Sequence, residues 1–373
     1  MKRIISALAA VVLACSAVSC GSSGSSTSEK NEQKTTAATV SETTADVSTT
    51  TVTTTRAAVT TRTKTTTTTV TTTAPASGDA DILKYITVKE AKPALWKATD
   101  PETGNSIYMM GTLHLANNEN LKMPEYILDA YKDAEAIAIE HDFSDVKAGN
   151  VQAASEMMKL MLLTDGTTIT DHISTEAYEK AKEFLTENSI YNSAYDAFVP
   201  GFWIDMISSV FISKLENLDS DGVEGYFVAK AKEDGKAIID IETLETQVKA
   251  ITDYTDDLAD YMILATFEDT TEISELAQEY AKLYDCWASG DTEGAWKMNE
   301  EDDSEIPDEY KADYAAYNDF ILTERNRGMA EKAAEYIKDG KKYLFMVGFM
   351  HYCGDQSVLK DLESMGYKVE RVN

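Results

Sequence analysis

Two of the chain's four histidines stand in the same four-residue frame, Gly111-Thr112-Leu113-His114 and Gly348-Phe349-Met350-His351. Each frame follows a short apolar run that reads as a buried strand, Ile107-Tyr108-Met109-Met110 before the first and Tyr343-Leu344-Phe345-Met346-Val347 before the second. Glycine lets the backbone turn without a Cβ in the way. Ligands of open α/β sheets bind outside the carboxyl ends of the strands. In a chain so poor in histidine, two imidazoles placed this way imply one shared site.

Other polar residues fall at expected strand ends or beside them. Glu140 closes the run Ala136-Ile137-Ala138-Ile139, Glu242 closes Ala237–Ile241, and Glu324-Arg325-Asn326 lies on a helix just before the last histidine strand. Neutral imidazole with carboxylate is a normal ligand set for a divalent transition metal. Such an ion acidifies bound water or polarises a carbonyl. A spare carboxylate can serve as general base, and Arg325 can hold an anionic group or developing negative charge. Each residue also has a plainer reading. Strand-end acids often cap the following helix, and Glu324-Arg325 fits a solvated helical pair. His141 is expected on the face opposite Glu140 if the strand continues, and His172 reads as a loop residue. The chain has no His-Glu-x-x-His helix, no Cys-x-x-Cys, no Gly-x-Ser-x-Gly elbow and no glycine-rich phosphate loop. Serine-nucleophile and nucleotide chemistry are therefore disfavoured.

The elements that must position these residues follow from periodicity and turn formers. Ala94–Ala98, the turn-rich Asp100–Asn105 and Ile107–Met110 predict a β-hairpin. Helices are expected over 124–134, 147–163, 174–188, 198–215, 222–234, 244–252, 256–288, 309–338 and 355–365. Strands are expected over 136–140, 237–242, 343–347 and 367–372. The middle is helical and the ends are strand-rich. The expected fold class is α/β (α+β), a central mixed sheet built from both ends of the chain with a helical insertion.

The chain opens Met1-Lys2-Arg3 and runs apolar from Ile4 to Val18, a signal-like segment too short for a typical membrane span. Ala17-Val18-Ser19-Cys20-Gly21 resembles a bacterial lipobox, which marks Cys20 for lipidation; an ordinary signal peptide cut near Ser19 is the alternative. Two or more acyl chains would anchor the protein stably. Residues 21–80 are a low-complexity Ser/Thr-rich stretch that cannot build a core, so they read as a disordered tether. The domains expected are thus a signal at 1–20, the tether at 21–80 and a folded region at 81–373, with the protein outside the cytoplasm and lipid-anchored to the bacterial cell membrane. Seven basic and five acidic residues in the first 80 leave 27 and 59 for the remainder, a net −32 against −30 for the whole chain. Such a domain repels nucleic acid and anionic lipid, so the lipid anchor is the only membrane contact expected. Cys286 and Cys353 remain as plain thiols or as a pair.

Taken together, these elements resemble the TraB/PrgY/GumN group, which is related to the Tiki proteins. The resemblance is carried by Leu95-Trp96 with Tyr108 through Leu115, by Ala138-Ile139-Glu140, and by Gly235-Lys236 leading to Ile241-Glu242-Thr243-Leu244-Glu245-Thr246-Gln247. It continues through Glu324-Arg325-Asn326 and Val347-Gly348-Phe349-Met350-His351, then Gly354, Leu359, Leu362, Gly366-Tyr367 and Val369. It implies an α/β fold shared with Tiki and erythromycin-esterase-like enzymes, and a metal-dependent hydrolase of peptidase type acting on a peptide or small molecule. By motif position His114, Glu140, Arg325 and His351 take the candidate catalytic roles, and Glu242 and Glu324 take lesser ones. A divalent ion of manganese, cobalt or zinc type would sit on His114, Glu140 and His351. Phe349-Met350 are bulkier than is common in the second motif and are expected to narrow the site. The residues also admit a non-catalytic peptide-sequestering protein, or an esterase-like enzyme that needs no metal.

Overall fold

The structure is a computed structural model that describes residues 80–117, 122–268, 272–304 and 306–373. The signal segment, Cys20 and the Ser/Thr-rich stretch up to residue 79 lie outside the described residues. No helix among the described residues is long and apolar enough to cross a membrane.

Among the described residues six strands form one mixed sheet. They are β1 (Leu95–Thr99), β2 (Ser106–Thr112), β3 (Ala136–Ile139), β4 (Ala237–Asp240), β5 (Tyr343–Gly348) and β6 (Lys368–Arg371), in the order β4-β3-β5-β2-β1-β6. The expected hairpin is present, with Leu95 opposite Met110 and Thr99 opposite Ser106. β2 and β3 both run parallel to β5, and β4 runs parallel to β3. Only β1, antiparallel to both β2 and β6, runs the other way. The carboxyl ends of β2, β3, β4 and β5 therefore meet at one edge.

The inner strands β2, β3 and β5 read as apolar runs because both their faces are covered, as parallel sheets require. Period-two alternation divides them cleanly. Ile137, Ile139, Leu344 and Met346 join the core under the helical middle of the chain, with Phe202, Trp203 and Phe227. Ala136, Ala138, Tyr343, Phe345 and Val347 face the other side, where Met329, Ala330, Ala333 and Ile337 of the helix Arg325–Asp339 close over them with Val358 and Leu362.

The sheet departs from the expected plan in one respect. Its β4 edge comes from the middle of the chain, so the helical insertion is split into two blocks, one between β3 and β4 and one between β4 and β5. Two predicted helices are also divided. The one expected over 256–288 becomes Asp256–Glu268 and Ile273–Ser289. The one over 309–338 becomes Lys311–Asn318, a π-helical turn at Asp319–Glu324, and Arg325–Asp339. The helix Thr292–Ser304 had no counterpart in the periodicity.

Candidate active site

The sheet brings the predicted strand-end residues to one edge. β2 leads into His114, β3 into Glu140, β4 into Glu242, and β5 into a single 3-10 turn, Phe349–Tyr352, that carries His351. A Cβ built on Gly348 would lie 3.2 Å from Glu140 Oε1, 3.5 Å from His351 Cδ2 and 3.6 Å from His114 Nε2. Three candidate side chains thus surround one bare glycine.

The two glycine–histidine frames pack on each other. A Cβ on Gly111 would meet the Phe349 Cα at 2.8 Å, so the first frame leaves room for the second. Phe349 is buried against Gly111 and does not line the cleft, which removes the steric narrowing expected from it. The helix Ile273–Ser289 holds the first frame by its carbonyls: Trp287 Nε1 donates to Gly111 O at 2.9 Å and Tyr280 OH to Leu115 O at 2.7 Å.

Glu140 is held from several directions. Its Oε1 accepts the Gly348 N–H at 2.6 Å, and its Oε2 accepts from Arg325 Nη2 at 2.7 Å and Gln247 Nε2 at 3.1 Å. Burial pushes this carboxyl up, but Arg325, His351, His114 and the Gly348 N–H outweigh burial and hold it well below the usual carboxylate range. Arg325 is buried and also clasps Glu242, with Nε at 3.0 Å from Oε1 and Nη2 at 2.7 Å from Oε2. One guanidinium faces two carboxylates. Burial, with the charge of Glu140 adding to it, raises Glu242 above its ordinary value in spite of Arg325. Glu140 is thus the firmly ionised member of the pair.

His351 is buried, with Nε2 at 3.8 Å from Glu140 Oε1. Its Nδ1 lies 2.6 Å from Asn326 Oδ1, while Asn326 Nδ2 donates to Gln356 O at 2.7 Å. The amide is oriented by Gln356, so its oxygen accepts from Nδ1–H and leaves Nε2 bare. Burial, with Arg325 nearby, pushes the imidazole down to about 3, which keeps it neutral.

A cleft of about 380 Å³ opens over this edge, lined by His114, Glu140, Gln247 and residues that sequence reasoning left out of the site. His141 is one of them. β3 ends at Ile139, so strict alternation no longer applies, and the ring lines the same cleft with Nδ1 at 3.1 Å from Asp240 Oδ2. Glu224 is another: its Oε2 is buried with no hydrogen-bond partner among the described residues. Neither had a signal beyond residue type. Glu324 is not brought in; it lies exposed on the π-turn, pointing away from the neighbouring Arg325. His172 is tied between Thr167 Oγ1 at 2.7 Å and Asp256 at 3.1 Å, outside the site. Cys286 and Cys353 are free thiols.

The donor set can be tested against the divalent ion expected on His114, Glu140 and His351. The three side chains converge, but among the described residues no group of three or more His, Cys, Asp or Glu is arranged to hold a metal ion. The carboxylate is the obstacle. Both Glu140 oxygens are already committed to N–H donors, and one of those donors is a cation. The residues as placed make a charge-locked carboxylate beside a neutral imidazole.

A mostly parallel sheet with imidazole, carboxylate and guanidinium at its strand carboxyl ends defines an α/β protein with a strand-end His–Glu–Arg site. The chain belongs to the TraB/PrgY/gumN family, whose sequence profile matches residues 94–371. No curated protein and no solved structure matches it.

Proposed function

We propose that this protein is a hydrolase that cleaves an acyl bond of a peptide or small ester by activating water at the strand-end site. The observation that carries this reading is the convergence of His114, His351 and Glu140 around Gly348, with His114 and Glu140 lining an open cleft. His351 offers a bare Nε2 as proton acceptor, and Glu140 at 3.8 Å is placed to stabilise the imidazolium that results. Arg325 fixes Glu140 in one position. His114, half-buried at the cleft wall, is placed to orient substrate or to donate to the developing oxyanion. The lipobox-like segment and Ser/Thr stretch support a setting outside the membrane on a lipid tether, and the net charge argues against nucleic acid as a partner.

One observation favours a metal-dependent variant of the same reading. Asn326 presents His351 Nε2 as the outer partner of a metal-bound histidine would. The test is a panel of peptides and esters followed by mass spectrometry, with purified protein, with and without chelator and added Mn, Co or Zn. Product that appears in chelator and is lost in His351→Ala supports the metal-free reading. Product only with added ion selects the variant. Stoichiometric binding without product would replace both with a sequestering protein.

A further inference from the structure

We propose that Glu224 is the catalytic acid of this cleft, giving its proton to the leaving group of the bond that the strand-end cluster opens. The inference rests on the hydrolase reading above and adds a residue to it.

Glu224 sits in the first turn of the helix Gly222–Asp234. That turn is pinned to the first histidine frame by main-chain bonds. Val223 N donates to Leu113 O at 2.8 Å, and Asp219 and Ala116 exchange bonds at 2.7 and 3.2 Å. The carboxyl is therefore carried on backbone bonded directly beside His114, and it lines the same cleft as His114 and Glu140. Its Oε2 is buried and finds no partner among the described residues. Lys147, a cation of the same cleft, bonds Asp221 Oδ1 at 2.7 Å and not Glu224. An unpartnered buried polar atom costs free energy and calls for an explanation.

Proton affinity supports the assignment. Burial raises this carboxyl well above its ordinary value, and the negative charges of Glu140, Asp142 and Asp240 add to the effect, with Lys147 opposing. The helix N-terminus would by itself favour the ionised form, so burial dominates. Two carboxyl groups at one cleft are thus driven apart, Glu140 toward the ionised form and Glu224 toward the protonated one. That division separates acid from base in two-carboxylate enzymes.

The step balances. Water oxygen bonds the acyl carbon while His351 Nε2 takes a water proton. The bond from the acyl carbon to the leaving nitrogen or oxygen then breaks, and that atom takes the Glu224 proton. Transfer of the proton from the imidazolium through solvent water to the Glu224 carboxylate restores both groups.

The test compares wild type with Glu224→Gln and Glu224→Asp on a matched pair of acyl substrates. One has an alkyl-alcohol or amine leaving group that needs a proton, and the other has a nitrophenol that does not. For Glu224→Gln the expected loss on the first is about 100-fold or more. The loss should be at least about tenfold smaller on the second. Glu224→Asp should recover part of the difference. His351→Ala should lose both substrates alike. Wild type should also show a basic limb in kcat/KM on the first substrate that the Gln variant lacks. Infrared difference spectra of wild type minus Glu224→Gln should show a protonated carboxyl at neutral pH with no substrate present. Equal losses on both substrates, or no carboxylic acid band, would overturn the assignment and leave the hydrolase reading standing. A wild type inert on every substrate would overturn both.

Discussion

The Gly348 N–H donates to Glu140 Oε1 at 2.6 Å, so the end of β5 is bonded to the end of β3 through the site's own carboxylate. The glycine has an ordinary extended backbone, φ −50° and ψ 141°, so an L side chain meets no conformational barrier there. What a Cβ would meet is Glu140 Oε1 at a tight 3.2 Å, with His351 and His114 at van der Waals contact. Gly348→Ala should fold at a cost of about 1–3 kcal/mol from overpacking. Its activity should fall about tenfold or more, because a methyl group would occupy the reaction centre. Gly111→Ala should show the opposite balance, since its Cβ would meet backbone at 2.8 Å and the two frames would have to separate. Thermal unfolding and kinetics on both variants check the contrast. A Gly348→Ala enzyme with full activity would mean that substrate does not approach that point.

Arg325 neutralises two buried carboxylates, and removing it would leave both without a cation. Arg325→Met should therefore cost about 3–5 kcal/mol. Glu242→Gln should cost much less, because Arg325 keeps Glu140 and burial already favours the protonated form of Glu242. Adding Glu140→Gln and Glu242→Gln to Arg325→Met should restore much of the lost stability without restoring activity. Urea unfolding midpoints rank the variants. An Arg325→Met protein as stable as wild type would show that the triad carries no stability.

Much of this arrangement was legible in the sequence because apolar runs ending in Gly, His or Glu mark buried parallel strands. Once β2, β3, β4 and β5 run the same way, His114, Glu140, Glu242 and His351 must share an edge. What pattern could not supply was local termination and long-range donors. His141 changes face because β3 stops at Ile139. Adjacent helical residues point apart, so Arg325 turns inward while Glu324 faces solvent. Gln247 looks like one more residue of an amphipathic helix, and its bonds to Glu140 and Glu242 exist only after β3 and β4 pair. Glu224 carries no motif; its significance comes from the partner it lacks.

Asn326 fixes which nitrogen of His351 carries the proton. Asn326→Ala should lower kcat on the order of 10- to 100-fold, as expected when the group orienting a functional imidazole is removed. KM should change little, because Asn326 does not line the His114–Glu140 cleft. Nitrogen-15 shifts of His351 should show one tautomer in wild type and a mixture in the variant. A single unchanged tautomer would assign the orientation to packing.

Acid should destabilise the protein earlier than ordinary carboxylates predict. His351 is held neutral, down to about 3 from the ordinary 6.5, chiefly by burial and then by Arg325. Below pH 6.5 the unfolded chain takes up a proton that the folded chain refuses, so the stability contributed by this residue is lost as pH falls from about 6.5 toward 3. Glu140, also lowered when folded, contributes stability above its ordinary 4.5 and loses it on further acidification. The two effects have the same sign and follow one another down the pH scale. In the presence of chelator, unfolding free energy should begin to fall near pH 6.5, and His351→Gln should delay that onset toward the carboxylate range. Stability flat from pH 7 to 5 in wild type would mean that the imidazole titrates as if exposed, and would remove the basis for a neutral Nε2 beside Glu140.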